Sequence, residues 1–108
     1  MNALTLARQV RELLAVPERW TRGEFARRAD GSPCGSKDPA AQCWCLVGAM
    51  CRLDDDPIRG MEMLDAIRAA TRSDSASVWN DAPGRTHADV LALLDRVVQR
   101  MERDGERP

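Results

Sequence analysis

Along residues 3–15 the apolar positions Leu6, Val10 and Leu13 recur at steps of three and four while Arg8, Arg11 and Glu12 face the other way, a period that predicts a helix stopped by Pro17. Between residues 20 and 34 that period disappears. An Asp-Gly pair inside ADGSP marks a tight chain reversal, so this segment reads as a short hairpin or extended excursion. Asp38 before Pro39 is a helix-start signal, because the carboxylate accepts from free amides and proline lacks the donor that would be orphaned. A second helix is therefore predicted from Pro39 to about Leu53. Asp56 before Pro57 repeats the signal for a third helix through about Ala70, with Ile58, Met61, Leu64 and Ile67 as its inner face. Residues 73–77 form a polar link and VWNDAPGRT a turn-rich loop, with room for one helical turn before it. Thr86 and Asp89 make a variant capping box for a last helix whose apolar face is Val90, Leu91, Leu94, Val97, Val98 and Met101. The tail, residues 104–108 above all, is expected to fray. The fold class is mainly α: a compact single domain of about four helices, residues 1–108, with a hairpin or extended excursion between the first two.

Composition narrows the function more than it directs it. A chain of 108 residues, 44% apolar, suits one core and no second domain. Sixteen basic against seventeen acidic residues leave a net charge of -1, which removes any global electrostatic pull toward nucleic acid or membrane. Fifteen of the basic residues are Arg, a bias a GC-rich genome also produces, so their number is weak evidence for phosphate recognition. Arginines interrupt the opening MNALTLARQVRELL, so no signal peptide is expected and the cytoplasm is the expected location. The longest nearly uncharged run, residues 39–51, is shorter than the roughly 20 apolar residues a membrane crossing needs.

In a reducing compartment the four cysteines are free thiols, metal ligands or redox groups before they are disulfides. On a helix from Pro39, Cys43 and Cys45 would diverge by about 200°, and Cys43 and Cys51 would lie roughly 12 Å apart along the axis. No pair could then share an ion, the C-x-x-C spacing is missing, and neither a metal nor a cofactor is expected. Cys43 and Cys51 read as filling in a helix that is apolar all round, with Gly48 and Ala49 making room for a neighbouring helix. Cys45 has a second reading, because Cys45, His87 and Asp81 or Asn80 are the raw material of a thiol hydrolase or transferase. Against it, Cys45 would lie almost two turns inside its helix, beyond the field that depresses a thiol pKa. His87 is preferred as a helix-start histidine packed on Trp79.

WNDAPGRT concentrates recognition groups, yet most of them have a local structural role. Trp79 plugs the core, Asn80 or Asp81 closes an Asx-turn, and Thr86 caps. Only Arg85 lacks one. In PERWTRGEFARR, Arg19, Arg22, Arg27 and Arg28 surround Trp20 and Phe25, a mixture able to touch phosphate and stack on bases, although Glu18 and Glu24 dilute it. A solvated face with two aromatic anchors is preferred.

WTRGEFAR, DGSPC, WCLVGA, and WNDAPGRT leading into ADVLALLDR span most of the chain. In these motifs the sequence resembles a family of small bacterial and phage proteins classed as a domain of unknown function. The resemblance points to Trp20, Trp44, Cys45, Gly48, Trp79, Asn80 and Asp81, and implies no activity. The leading expectation is a cytosolic helical binding or regulatory module whose partner is another protein. It would bind through Trp20, Arg22, Trp79, Asn80, Asp81, Arg85 and His87. Thiol chemistry at Cys45 and His87 is the alternative, and nucleic-acid binding a minor one.

Overall fold

Asn2 opens α1 (Ala3–Leu13) by accepting a hydrogen bond from the Thr5 amide at 2.8 Å, and Ala3, Leu6, Ala7 and Val10 form its buried stripe. The computed structural model describes residues 2–105. α1 ends just before Leu14, which is itself buried, and Pro17 starts a single 3₁₀ turn.

The excursion is a sheet. β1 (Ala26–Arg28) pairs antiparallel with β2 (Pro33–Cys34), with Ala26 opposite Cys34. The Asp-Gly reversal lies between them: Gly31 has φ +88°, and the Asp30 carboxylate accepts from the Ser32 amide at 2.9 Å. β1 pairs on its other edge with β3 (Ala41–Trp44), giving the order β2-β1-β3.

That third strand corrects the predicted second helix. The Asp38 carboxylate does accept from the Ala40 amide at 2.8 Å, but the cap closes one turn and no helix follows. Residues 41–44 instead join β1, and the Cys45 amide donates to the Phe25 carbonyl at 3.2 Å. Periodicity cannot separate an apolar helix from a short buried strand, and here the open edge of β1 decides. α2 is accordingly short, Leu46–Leu53. Gly48 does make room for close approach, but for the Phe25 backbone and not for a helix: a Cβ on it would stand 1.8 Å from the Phe25 carbonyl oxygen. Cys51 is exposed and Cys43 half-buried, so neither fills the core as expected.

α3 (Pro57–Thr71) starts where predicted, with the Asp56 carboxylate accepting from the Ile58 amide at 2.8 Å. Its inner face is Met63, Ala66 and Ile67, while Ile58 and Met61 are 65% and 63% exposed, because α3 packs on α1 and α5 through the opposite stripe. α4 (Ala76–Asp81) takes Trp79, Asn80 and Asp81 out of the predicted loop. α5 (His87–Gly105) begins at the expected reciprocal cap: Asp89 amide to Thr86 hydroxyl, 3.1 Å, and Thr86 amide to Asp89 carboxylate, 3.0 Å. Leu93 joins Val90, Leu94 and Val97 in the core, and Leu91 is only half-buried. The frayed-tail expectation concerns residues of which 106–108 lie outside those described, and α5 carries residues 104 and 105.

The fold is thus mainly helical, with α1, α3 and α5 around one core and the small sheet lying between α1 and α2 in sequence. No helix among the described residues is long and apolar enough to cross a membrane.

Candidate functional site

The residues singled out from the sequence converge on Asn80, which is completely buried on α4. Its Oδ1 accepts from the Trp20 indole at 2.8 Å and from the Leu46 amide at 3.2 Å. Its Nδ2 donates to the Thr21 carbonyl at 3.1 Å and to the Asp81 carboxylate at 2.9 Å. An asparagine amide has two acceptor sites and two donors, and all four are occupied, as a buried polar group requires. One side chain thereby joins α4, the segment entering β1, and the first turn of α2. Asp81 extends the junction by accepting from the Gly23 amide at 2.9 Å, at a residue whose φ of +83° suits glycine.

Two Arg–Trp pairs flank this hub. Arg22 lies 5.9 Å from the Trp20 ring and donates to the Ala82 carbonyl at 3.2 Å. Arg85, to which sequence reasoning assigns no local role, stacks 3.9 Å over the Trp79 ring and donates to the Trp79 carbonyl at 2.8 Å. It pairs with neither Asp81 nor the 54–56 aspartates; Asp54 is held by Arg59 instead. His87 sits 6.4 Å from the Trp20 ring, so its aromatic neighbour is Trp20 and not Trp79. The His87 Nε2 lies 2.6 Å from the Leu14 carbonyl, an acceptor, so this nitrogen carries the hydrogen.

Cys45 is not inside a helix. It is the N-cap of α2, and its Sγ accepts from the Gly48 amide at 3.3 Å. The helix-end field does reach it, contrary to the expectation, yet the thiol is pushed up from its ordinary value. Burial is the largest cause, the Gly48 and Val47 amides oppose it, and the nearby Asp81 carboxylate adds to the rise. Cys45 is 4% exposed and lines a cleft of about 170 Å³ with Gly23, Glu24, Phe25, Ser77 and Asp81. His87 does not bond to it. The structure brings Cys45, Asn80 and Asp81 together and holds the imidazole beside Trp20 on the Leu14 carbonyl.

The arginine-rich excursion also spends its charges internally. Arg27 donates to the Thr21 hydroxyl and the Gly31 carbonyl, and Arg28 pairs with Asp38 at 2.9 Å. Trp20 is an anchor, but Phe25 is 56% exposed and anchors nothing. Sequence reasoning misses Thr21, Gly23 and Leu46 because they contribute backbone groups, which leave no trace in residue type. It misses Phe25, Glu24 and Ser77 as a cleft because the pattern over β3 reads as helix. Among the described residues no three His, Cys, Asp or Glu side chains are grouped as metal ligands would be.

No curated protein and no solved structure gives a significant match to this chain. A family model does, over residues 1–100, and it covers every segment of the hub: the chain belongs to DUF6197, a family of unknown function.

Proposed function

We propose that this chain is a small binding or regulatory module that acts through protein–protein recognition, on the face formed by residues 20–25, α4 and the turn into α5. Phe25 carries the reading: a large aromatic side chain stays 56% exposed although its own carbonyl accepts from Cys45 and the segment before it is fastened to Asn80 and Asp81. A loose loop exposes an aromatic by default. A fastened loop that still presents one offers a pre-organised anchor, the kind of residue that dominates interfaces. In this reading Trp20, Asn80 and Asp81 hold the face in shape, Trp79 and His87 back Arg85 and Trp20, and Arg22 and Arg85 form a cationic rim. A phage-related accessory role is the setting the motif resemblance implies.

A photo-crosslinking amino acid in place of Phe25 tests the proposal in cells. The expected result is one dominant covalent adduct with a single partner protein, weakened by Arg22→Glu. An adduct pattern no different from that of a probe at exposed Arg72 would overturn it.

Thiol chemistry is the second reading, favoured by one observation, the place of Cys45 at a helix start beside a cleft. It requires a thiolate that burial and Asp81 disfavour. Alkylation of the native protein across pH decides it: a Cys45 that stays inert at neutral pH leaves a hydrolase or transferase without its nucleophile.

A further inference from the structure

The cleft at Cys45 opens between α4 and the segment of residues 23–25. Its wall on α4 is Ser77 and Asp81, four residues apart and so on the same side of the helix. Gly23, Glu24 and the exposed Phe25 form the other wall, and the buried Cys45 completes the lining. At about 170 Å³ the space falls below the roughly 300 to 1,000 Å³ of pockets that take whole small molecules, and it suits one inserted side chain.

Every charged residue of the lining is acidic: Glu24 and Asp81. Glu24 forms no ion pair among the described residues. Asp81 Oδ1 accepts from the Gly23 amide and from Asn80 Nδ2, each at 2.9 Å, which fixes the carboxylate and leaves Oδ2 without a hydrogen bond among the described residues. The half-buried Ser77 adds a hydroxyl. The neighbouring cations stand elsewhere: Arg22 donates to the Ala82 carbonyl, Arg85 lies 3.9 Å over the Trp79 ring, and neither lines the cleft. Cys45 adds no third negative charge at neutral pH, because burial and then Asp81 push its thiol up.

We propose that this cleft takes the ammonium group of a lysine side chain from the partner protein. The inference rests on the Phe25 face being a recognition surface and names the group recognised there. The three donors of an ammonium are offered Asp81 Oδ2, the Glu24 carboxylate and the Ser77 hydroxyl, while the methylene stem packs along the Phe25 ring. An arginine fits less well: its fork is satisfied by both oxygens of one carboxylate, and Asp81 Oδ1 already holds two donors. A phosphate or carboxylate is repelled by both acids. Because Asp81 is held in place before the lysine arrives, little side-chain entropy is lost there on binding.

The test titrates the isotope-labelled full chain at low salt with short blocked peptides, identical but for a central lysine, arginine, acetyl-lysine or norleucine. The lysine peptide is expected to shift the amide resonances of residues 23–25 and 77–81. It should bind about threefold more tightly than the arginine peptide and about fivefold more tightly than the two uncharged ones. Glu24→Gln, a surface change checked by thermal melting, should lose about threefold in affinity for the lysine peptide, and added salt should erase the preference. Equal affinity for lysine and norleucine, a preference for arginine, or shifts confined elsewhere would each overturn the proposal. So would n-butylamine binding as tightly as the lysine peptide, since the cleft would then serve a free amine. A Phe25 adduct without a lysine preference removes this inference alone, whereas a missing adduct removes the face and the inference with it.

Discussion

Removing the Asn80 side chain should unfasten three parts of the molecule at once. Asn80→Ala leaves the Trp20 indole, the Leu46 amide and the Thr21 carbonyl without their partner and removes one hydrogen bond from Asp81. At a net contribution of about 0.5 to 1.5 kcal/mol for each of four bonds, the expected loss is about 4 kcal/mol, part of it recoverable where water enters the vacated space. A domain of this size has on the order of 5 to 15 kcal/mol in total, so urea unfolding should show a large fall in midpoint. Asn80→Asp sharpens the test because it keeps the shape and replaces the amide donor with a carboxyl. Burial and the adjacent Asp81 raise its folded-state pKa above the unfolded value. Its destabilisation relative to wild type should therefore be smallest below about pH 4, where both states are protonated, and grow as pH rises through the folded pKa. A loss under about 1 kcal/mol for Asn80→Ala, or a deficit in Asn80→Asp that is flat with pH, would refute the hub as the fastening of this face.

Gly48→Ala should cost more than about 2 kcal/mol in denaturant melts, since the added methyl meets the Phe25 carbonyl oxygen at 1.8 Å and the helix-propensity gain is only about 1 kcal/mol. A neutral result would mean that the strand and helix separate freely. Cys45 should react with iodoacetamide more slowly than a free thiol at pH 8 and accelerate on unfolding, because its pKa lies above the ordinary 9.0. By the same linkage its contribution to stability is present below the unfolded pKa and lost as alkali rises through the folded one. Asp54, held well below the usual carboxylate range by Arg59 and the Asp56 amide, contributes stability above its unfolded pKa that is lost as pH falls. Asp54→Asn should reduce the acid sensitivity of the thermal midpoint, and an unchanged slope would count against the pair. Thr86→Ala should lower stability by about 1 kcal/mol through loss of the α5 cap.

The parts legible in the sequence are those where a side chain acts on its own neighbourhood. Asp56 with Pro57, Thr86 with Asp89 and Asp30 with Gly31 are local devices, and all three do locally what their residue types dictate. Asp38 shows the limit of that logic. Its cap forms, yet the chain continues as β3 because β1 offers an edge more than ten residues away in sequence. The same blindness hides the site. Motif likeness points to Trp20, Asn80 and Asp81, but what joins them is a set of Thr21, Gly23 and Leu46 backbone groups, whose partners no side chain announces. Ile58 and Met61 fall on the wrong side because α3 has apolar residues on both faces, so its period does not say which one meets α1 and α5.

The correction at α2 changes what the hub implies about chemistry. A helix start offers free amides, and a thiol there is the usual recipe for an activated nucleophile with anion-stabilising donors beside it. In this chain two of those donors are already committed: the Leu46 amide goes to Asn80 and the Gly48 amide to the Cys45 sulfur itself. A reacting carbonyl that took the first would break the link between Asn80 and α2. The imidazole that could take the proton faces the Leu14 carbonyl instead. The same groups that would make Cys45 reactive are the ones that fasten the Phe25 segment to α2 and α4. A face whose polar groups are consumed in keeping its shape is suited to being recognised, and that is why the binding reading draws more support from this geometry than the thiol reading does.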